Sequence, residues 1–206
     1  MELYEAIRTR RSIRRFRNDV ISKEKILKIL DAANLAPTAT NRQAWNFVVV
    51  NRSYLDRMKD ILDRSFTERL NEISRSEWEE KIKDLPIPLS EPNDKIEGLH
   101  KFHKSLGEAP WAIVVYVKKE ADPWQWKNNI CDAAAAIENL LLAACSEGLG
   151  SCWMTGALRK KEAEIREFLG IPRDQEIVAI VPIGVPSFIP ESPPKVNVRS
   201  KIRWLE

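Results

Sequence analysis

Apolar residues recur along the chain at two spacings, and these spacings divide it into helices and strands. Leu3, Ala6, Ile7 and Arg10 follow helical spacing, so a short helix is predicted to carry Arg10 to its C-terminal end. From Ser22, a suitable N-cap, Ile26, Ile29, Leu30 and Ala33 share one face of a second helix, which Pro37 stops. The run WNFVVVN, residues 45–51, is rich in β-branched and aromatic residues and reads as a strand buried on both faces. Residues 53–83 are charged and helical with weak periodicity, and the proline-rich stretch 84–94 reads as a loop. A short helix around 96–106 and a strand at 111–117 follow.

The strongest helix spans 129–147, apolar almost all round and interrupted by Asp132, Glu138 and Asn139, which places it in the core or at a subunit interface. Gly148 ends it in the manner of a left-handed C-cap, and SCWMT continues as an extended segment. A helix at 160–168 and a strand at 176–183 complete the core. From Pro186 the chain is proline-rich and extended, an arm suited to lying over a partner. The sum is one α+β domain over residues 1–206, with a helical insertion at 55–105 and a C-terminal arm at 186–206.

Composition narrows the function classes. Thirty-three basic residues face thirty acidic ones, a net charge of +3, so any basic surface is local rather than global. Apolar runs such as 111–117 and 140–145 fall short of a bilayer span, and the first residues lack an apolar signal core, so the cytoplasm is the expected compartment. Cys131, Cys145 and Cys152 have neither metal-type nor CxxC spacing and read as small buried hydrophobes. His100 and His103 have no nearby Cys or carboxylate to complete a metal set, and surface positions are expected for both. GLGSCWMTG has Trp153 where a dinucleotide fingerprint needs its third glycine, and it follows a helix instead of a strand.

Two polar segments remain. RTRRSIRRFR, residues 8–17, carries six arginines with Ile13 and Phe16 interleaved as anchors and Ser12 as a hydroxyl donor. It fits a phosphate-monoester cradle, a solvated basic face or a nucleic-acid arm, although a free arm has no need of apolar anchors. APTATNRQAWNF, residues 36–47, packs Thr38, Thr40, Asn41, Arg42 and Gln43 between a helix stop and a strand, where side-chain amides can meet a heterocycle edge. Taken alone, this segment is equally a capped loop with Trp45 in the core.

Together, RRSIRRF (10–16) and APTATNRQAWNFVVV (36–50) resemble the opening signature of the FMN-dependent nitroreductases. DAAAAIENLLLAACSEGLGSCWMTG (132–156) resembles their central helix and following turn, and EIVAIVPIGVP (176–186) their last core strand. The resemblance implies a nitroreductase-like α+β fold with a mixed or antiparallel central sheet, a homodimer with exchanged C-terminal arms, and two interfacial FMN sites. By position it implies that Arg10 and Ser12 hold the phosphate and ribityl end, with Arg11 and Arg14 beside them. Pro37, Thr38, Ala39 and Asn41 would approach the flavin from the other subunit, and Gln43 its edge. Trp153, Met154, Thr155 and Gly156 would pass over the ring, with the Thr155 amide near N5 and Gly156 permitting close approach. Arg199, and after it Lys201, would reach the phosphate from the arm.

Ala44 stands where relatives often have proline, and residues 55–105, where relatives carry the lid, match nothing in the resemblance. Trp124 and Trp126 either line the substrate pocket or pack the dimer. The activity implied is ping-pong transfer of hydride from NADH or NADPH through FMN to a nitroaromatic or quinone, with no side chain as general acid and no metal. The alternatives are a specialised dehalogenase or flavin-fragmenting enzyme of the same family, a non-catalytic FMN store, or a nucleic-acid-binding protein built on the arginine run. Under the flavoenzyme reading neither nucleic acid nor membrane is a partner.

Overall fold

The computed structural model describes residues 1–85, 87 and 94–205. In chain order the elements are α1 (Leu3–Thr9), α2 (Lys23–Asn34), β1 (Trp45–Asn51), α3 (Arg52–Leu70), α4 (Arg75–Ile82) and α5 (Lys95–Ser105). There follow β2 (Trp111–Lys118), α6 (Pro123–Ser146), β3 (Gly150–Ser151), α7 (Leu158–Phe168) and β4 (Gln175–Gly184). The strands form one antiparallel sheet in the order β1-β2-β4-β3.

Alternation along β2 and β4 explains why helices cover both faces of this sheet. Ile113, Val115 and Val117 of β2, with Ala179, Val181 and Ile183 of β4, pack with Ile26 and Ile29 of α2 and the Ala136–Leu140 stripe of α6. Ala112, Val114, Ile177 and Ile180 belong to a second core with Leu62 and Phe66 of α3, Trp78 of α4, Phe102 of α5 and Ile165 of α7. The register shifts between Val115 and Tyr116, where β4 carries one residue more than β2. This bulge restores the inward face after Ile177.

The caps follow the sequence. Ser22 Oγ accepts from Lys25 N, and Ser74 with Glu77 forms a reciprocal capping box at α4. Gly148 ends α6 at φ +73°, as its position after the last apolar turn requires.

The structure corrects three expectations. β1 is an edge strand with Trp45 and Val50 buried and Val49 exposed, so its apolar run does not reflect burial on both faces. α6 begins six residues before the predicted start, because Asp122 caps it, accepting from Trp124 N, and Pro123 fills its first position. Cys131 lies exposed on α6 and Cys145 is half-buried, leaving Cys152 as the one fully buried thiol among the three. Of the proline-rich stretch 84–94, residues 86 and 88–93 lie outside the described residues.

Candidate functional site

The arginine run is held at the β3 edge of the sheet by its own backbone. Ile13 N donates to Ser151 O (2.9 Å), Phe16 N to Gly107 O (2.9 Å) and Arg17 N to Val185 O (2.9 Å). Ile13 and Phe16 are buried with Ala109, which fixes the direction of the residues between them. Arg10 follows α1 as its C-cap.

Arg10, Arg11, Ser12 and Arg14 thereby line one cleft of about 540 Å³, with Arg8 and Lys195 at its edge. The Nε atoms of Arg10 and Arg11 are buried without a hydrogen-bond partner among the described residues. Glu138 approaches Arg10 Nε at 3.6 Å, too far for a hydrogen bond, while Arg11 Nη1 is spent on the carbonyls of Arg8 (2.6 Å) and Arg10 (2.8 Å). Buried guanidinium donors without acceptors are costly unless an anion completes them. Arg15 and Arg17 are exposed, and Arg17 pairs with Asp19 at 2.8 Å. Arg8 is exposed and also borders the cleft.

The second polar segment lies against α6. The buried carboxylate of Asp132 accepts from Thr38 Oγ1 (2.6 Å) and Ala39 N (3.3 Å). Thr38 Oγ1 accepts in turn from Gln43 N (3.1 Å), and Gln43 Nε2 donates to Asn41 Oδ1 (3.0 Å). Thr40, Asn41 and Gln43 all have positive φ, so the loop is strained and tightly specified. Pro37, Asn41 and Gln43 are exposed, and none of the five candidate residues of this loop borders the arginine cleft. Trp45 is buried, its Nε1 donating to Asn34 Oδ1 (3.1 Å), which makes it a core residue. Asp132 was legible in the sequence only as a break in an apolar helix.

The third segment, Trp153–Gly156, crosses β4 through reciprocal bonds between Met154 and Ile180 (Met154 N to Ile180 O, 3.1 Å; Ile180 N to Met154 O, 2.9 Å). The Thr155 N–H makes no hydrogen bond among the described residues. These four residues wall a cleft of about 310 Å³ whose other side is built by α3, α4 and α5. Arg14 borders this cleft as well as the arginine cleft, joining the two.

Gly156 is required by its neighbours within the chain. A Cβ there would lie 2.4 Å from Arg69 Nη1 and 2.6 Å from His103 Cε1. His103, expected at the surface, is buried: its ring stacks on Phe66 at 4.4 Å and meets the edge of Phe102 at 5.6 Å. Burial first, then the charges of Arg69, His100 and Arg14, push its pKa down to about 3, so the ring is neutral. His100, half-buried, pairs through Nε2 with Asp63 Oδ1 at 2.7 Å.

Arg199 and Lys201 lie exposed on a short 3₁₀ turn and do not border the arginine cleft, which the arm meets instead with Pro190, Ser192, Pro193 and Lys195. Trp124 and Trp126 stand on the first turn of α6, exposed, with Trp126 Nε1 donating to Glu176 Oε2 (3.1 Å) and Lys127 over the Trp124 ring. Neither tryptophan borders the Thr155 cleft.

Helices on both faces of an antiparallel sheet, with an arginine cleft at its β3 edge and an adjoining aromatic cleft, define the class as an α+β protein. The chain belongs to the nitroreductase family, whose profile matches residues 7–185. It is 32% identical over 186 residues to an Archaeoglobus fulgidus protein named "Putative NADH dehydrogenase/NAD(P)H nitroreductase", covering 90% of this chain and 86% of that one. It is 27% identical over 205 residues to a 4-nitrobenzoate reductase of Nocardioides sp., covering 89% and 81% of the two chains. Among solved structures, a BluB-like flavoprotein from Clostridium difficile 630 superposes with TM-score 0.74 at 26% identity, covering all of both chains. An FMN- and NADPH-dependent nitroreductase from Sphigopyxis sp. strain HMH shares the fold with TM-score 0.80 at 20% identity, again over all of both chains.

Proposed function

We propose that this protein is an FMN-dependent oxidoreductase that takes electrons from NADH or NADPH and reduces electron-poor aromatics or quinones. The observation that carries the reading is the arginine cleft, where two buried Nε donors lack acceptors beside the Ser12 hydroxyl. A flavin phosphate would supply the missing acceptors, so the residues present fit the group. Arg10, Arg11, Ser12 and Arg14 hold the phosphate end, and Lys195 adds charge from the arm.

The free Thr155 N–H marks where the ring edge is met, and the Trp153–Gly156 segment, fixed to Ile180, keeps water off one side. Bound FMN supplies two-electron carriage between a nicotinamide and an acceptor. The chain itself positions the ring and surrounds it with amides and positive charge. No described side chain bordering Thr155 is an acid of suitable strength: burial pushes the Cys152 thiol up, His103 is neutral, and the nearby cations are arginine and lysine.

The exposed loop at Pro37–Gln43 and the exposed apolar side chains of the arm, including Val196, Ile202, Trp204 and Leu205, support a homodimer in which each loop completes the partner's site. Among the described residues no helix is long and apolar enough to cross a membrane. A cytoplasmic location, a single domain with 55–105 as its lid, and the absence of a nucleic-acid partner belong to the same reading.

The test is spectroscopic. The purified protein is expected to be yellow, and anaerobic NADH or NADPH should bleach it. Arg10→Ala with Ser12→Ala should weaken FMN binding by roughly tenfold or more. A colourless protein that takes up no FMN and binds DNA with a steep salt dependence would refute the proposal.

A further inference from the structure

The wall of the Thr155 cleft contributed by α3, α4 and α5 has a polar character that flavin binding does not use. Arg69, in the last turn of α3, reaches into it with its guanidinium 5.0 Å above the Trp78 ring and its Nη1 against Gly156. Arg69 has no hydrogen-bond or ion-pair partner among the described residues. Glu72, whose charge it feels, is held instead by Lys160 (2.5 Å) and Arg159 (3.3 Å). Burial and the like charge of Arg159 lower the Arg69 pKa, the mark of a cation lacking a counterion.

Two further groups in the same wall are unsatisfied among the described residues: Trp78 Nε1 and His103 Nδ1 are both buried without a hydrogen-bond partner there, and the two side chains are 5% and 4% exposed. An indole N–H can only donate, and a neutral imidazole carries one N–H. Lys81 borders the cleft from α4, and no carboxylate among the described residues lines it. The remaining surface is apolar and flat-sided, from Phe102, Trp153 and Leu99. A half-buried cation, an orphaned indole N–H and an unpartnered imidazole nitrogen, set in an aromatic slot, specify what is missing: a planar ring bearing a negative group.

We propose that this cleft is the acceptor subsite and that it selects aromatic carboxylates, with Arg69 taking the carboxylate and Trp78 and His103 completing its hydrogen bonds. The inference deepens the oxidoreductase reading, because Trp153–Gly156 walls both the cleft and the proposed flavin position. Within residues 55–105, where relatives carry the lid, it assigns the specificity role to Arg69, Trp78 and His103. A volume of about 310 Å³ lies at the small end of ligand pockets, suited to a single substituted ring.

The experiment measures binding of benzoate, which cannot be reduced, to the purified protein by calorimetry and tryptophan fluorescence. Benzamide serves as the neutral isostere and inorganic phosphate as the ringless anion, with flavin content recorded separately. Benzoate should bind at least about tenfold more tightly than either. Arg69→Gln should abolish the preference over benzamide, and Arg69→Lys should keep part of it. Lys23→Gln, an exposed change on α2, which does not border the cleft, should leave the preference unchanged. Trp78→Phe, which removes the indole N–H and keeps an aromatic ring, should weaken benzoate more than benzamide even if Arg69→Gln does not fold.

Equal binding of benzoate and benzamide, phosphate binding as tightly as benzoate, or a preference surviving in folded Arg69→Gln would each overturn the proposal. A flavin-free protein that still selects benzoate would refute the oxidoreductase reading and leave this subsite standing. A yellow, NADH-bleached protein indifferent to the carboxylate would do the reverse.

Discussion

Acidification should expose His103 as a stability switch. Its ordinary pKa of 6.5 falls to about 3 in the folded protein, first through burial and then through the charges of Arg69, His100 and Arg14. Between those two values the unfolded chain holds a proton that the folded chain excludes. The neutral ring's contribution to stability is therefore fully present above pH 6.5 and is lost as pH falls toward 3. Integrating the linkage from pH 7 to pH 5 gives a loss of about 2 kcal/mol from this one residue. Urea unfolding at the two pH values, for wild type and His103→Gln, isolates it from carboxylates common to both. Wild type should lose about 2 kcal/mol more than the variant over that interval. His100 and His103 are the only histidines, so His100→Gln leaves one imidazole to follow by NMR. An imidazole titrating between pH 6 and 7 in the folded protein, or identical pH dependence in wild type and His103→Gln, would refute the reasoning.

Other perturbations test separate links. Asp132→Ala removes the carboxylate that accepts from Thr38 and Ala39, and should cost about 2–3 kcal/mol by denaturant unfolding, with faster amide exchange at Thr38–Gln43. Gly150→Ala places a Cβ 2.6 Å from Ile13 Cγ1, against a buried anchor, and should cost about 1–3 kcal/mol in thermal unfolding while weakening FMN uptake. Ser74→Ala breaks the capping box at the start of α4 and should cost about 1 kcal/mol, read by circular dichroism during urea unfolding.

The order of elements was legible because apolar periodicity and caps are local. Ser22, Pro37 and Gly148 stand where the helices start and stop. Features set by distant partners were not legible. A run such as WNFVVVN looks alike at the centre and at the edge of a sheet, and only pairing with β2 on one side decides. The first turns of α6 carry tryptophans and polar residues, so periodicity missed them even though the Asp122-Pro123 start signal was present. The arginine run was read closely from its anchors, since Ile13 and Phe16 sit within the segment they orient. Arg69 and His103 carried no local signal. Their burial and lack of partners arise where α3 and α5 meet Gly156, more than fifty residues further along the chain.

The fastening of the arginine run has a consequence for how the molecule is made. Every backbone bond that docks it reaches far along the chain: Phe16 to Gly107, Ile13 to Ser151, Arg17 to Val185, and Ser187 to Arg15. During synthesis the run emerges before every residue it docks on, and its last fastening point follows roughly 170 residues later. At about 5–20 residues per second, that is a wait of roughly 10 to 30 s. Throughout it, six arginines are tethered undocked beside ribosomal RNA, a polyanion they are charged to bind. The arginine run is thus made before the surfaces that hold it, with Ile13 and Phe16 drawing it into place once β3 and β4 have paired.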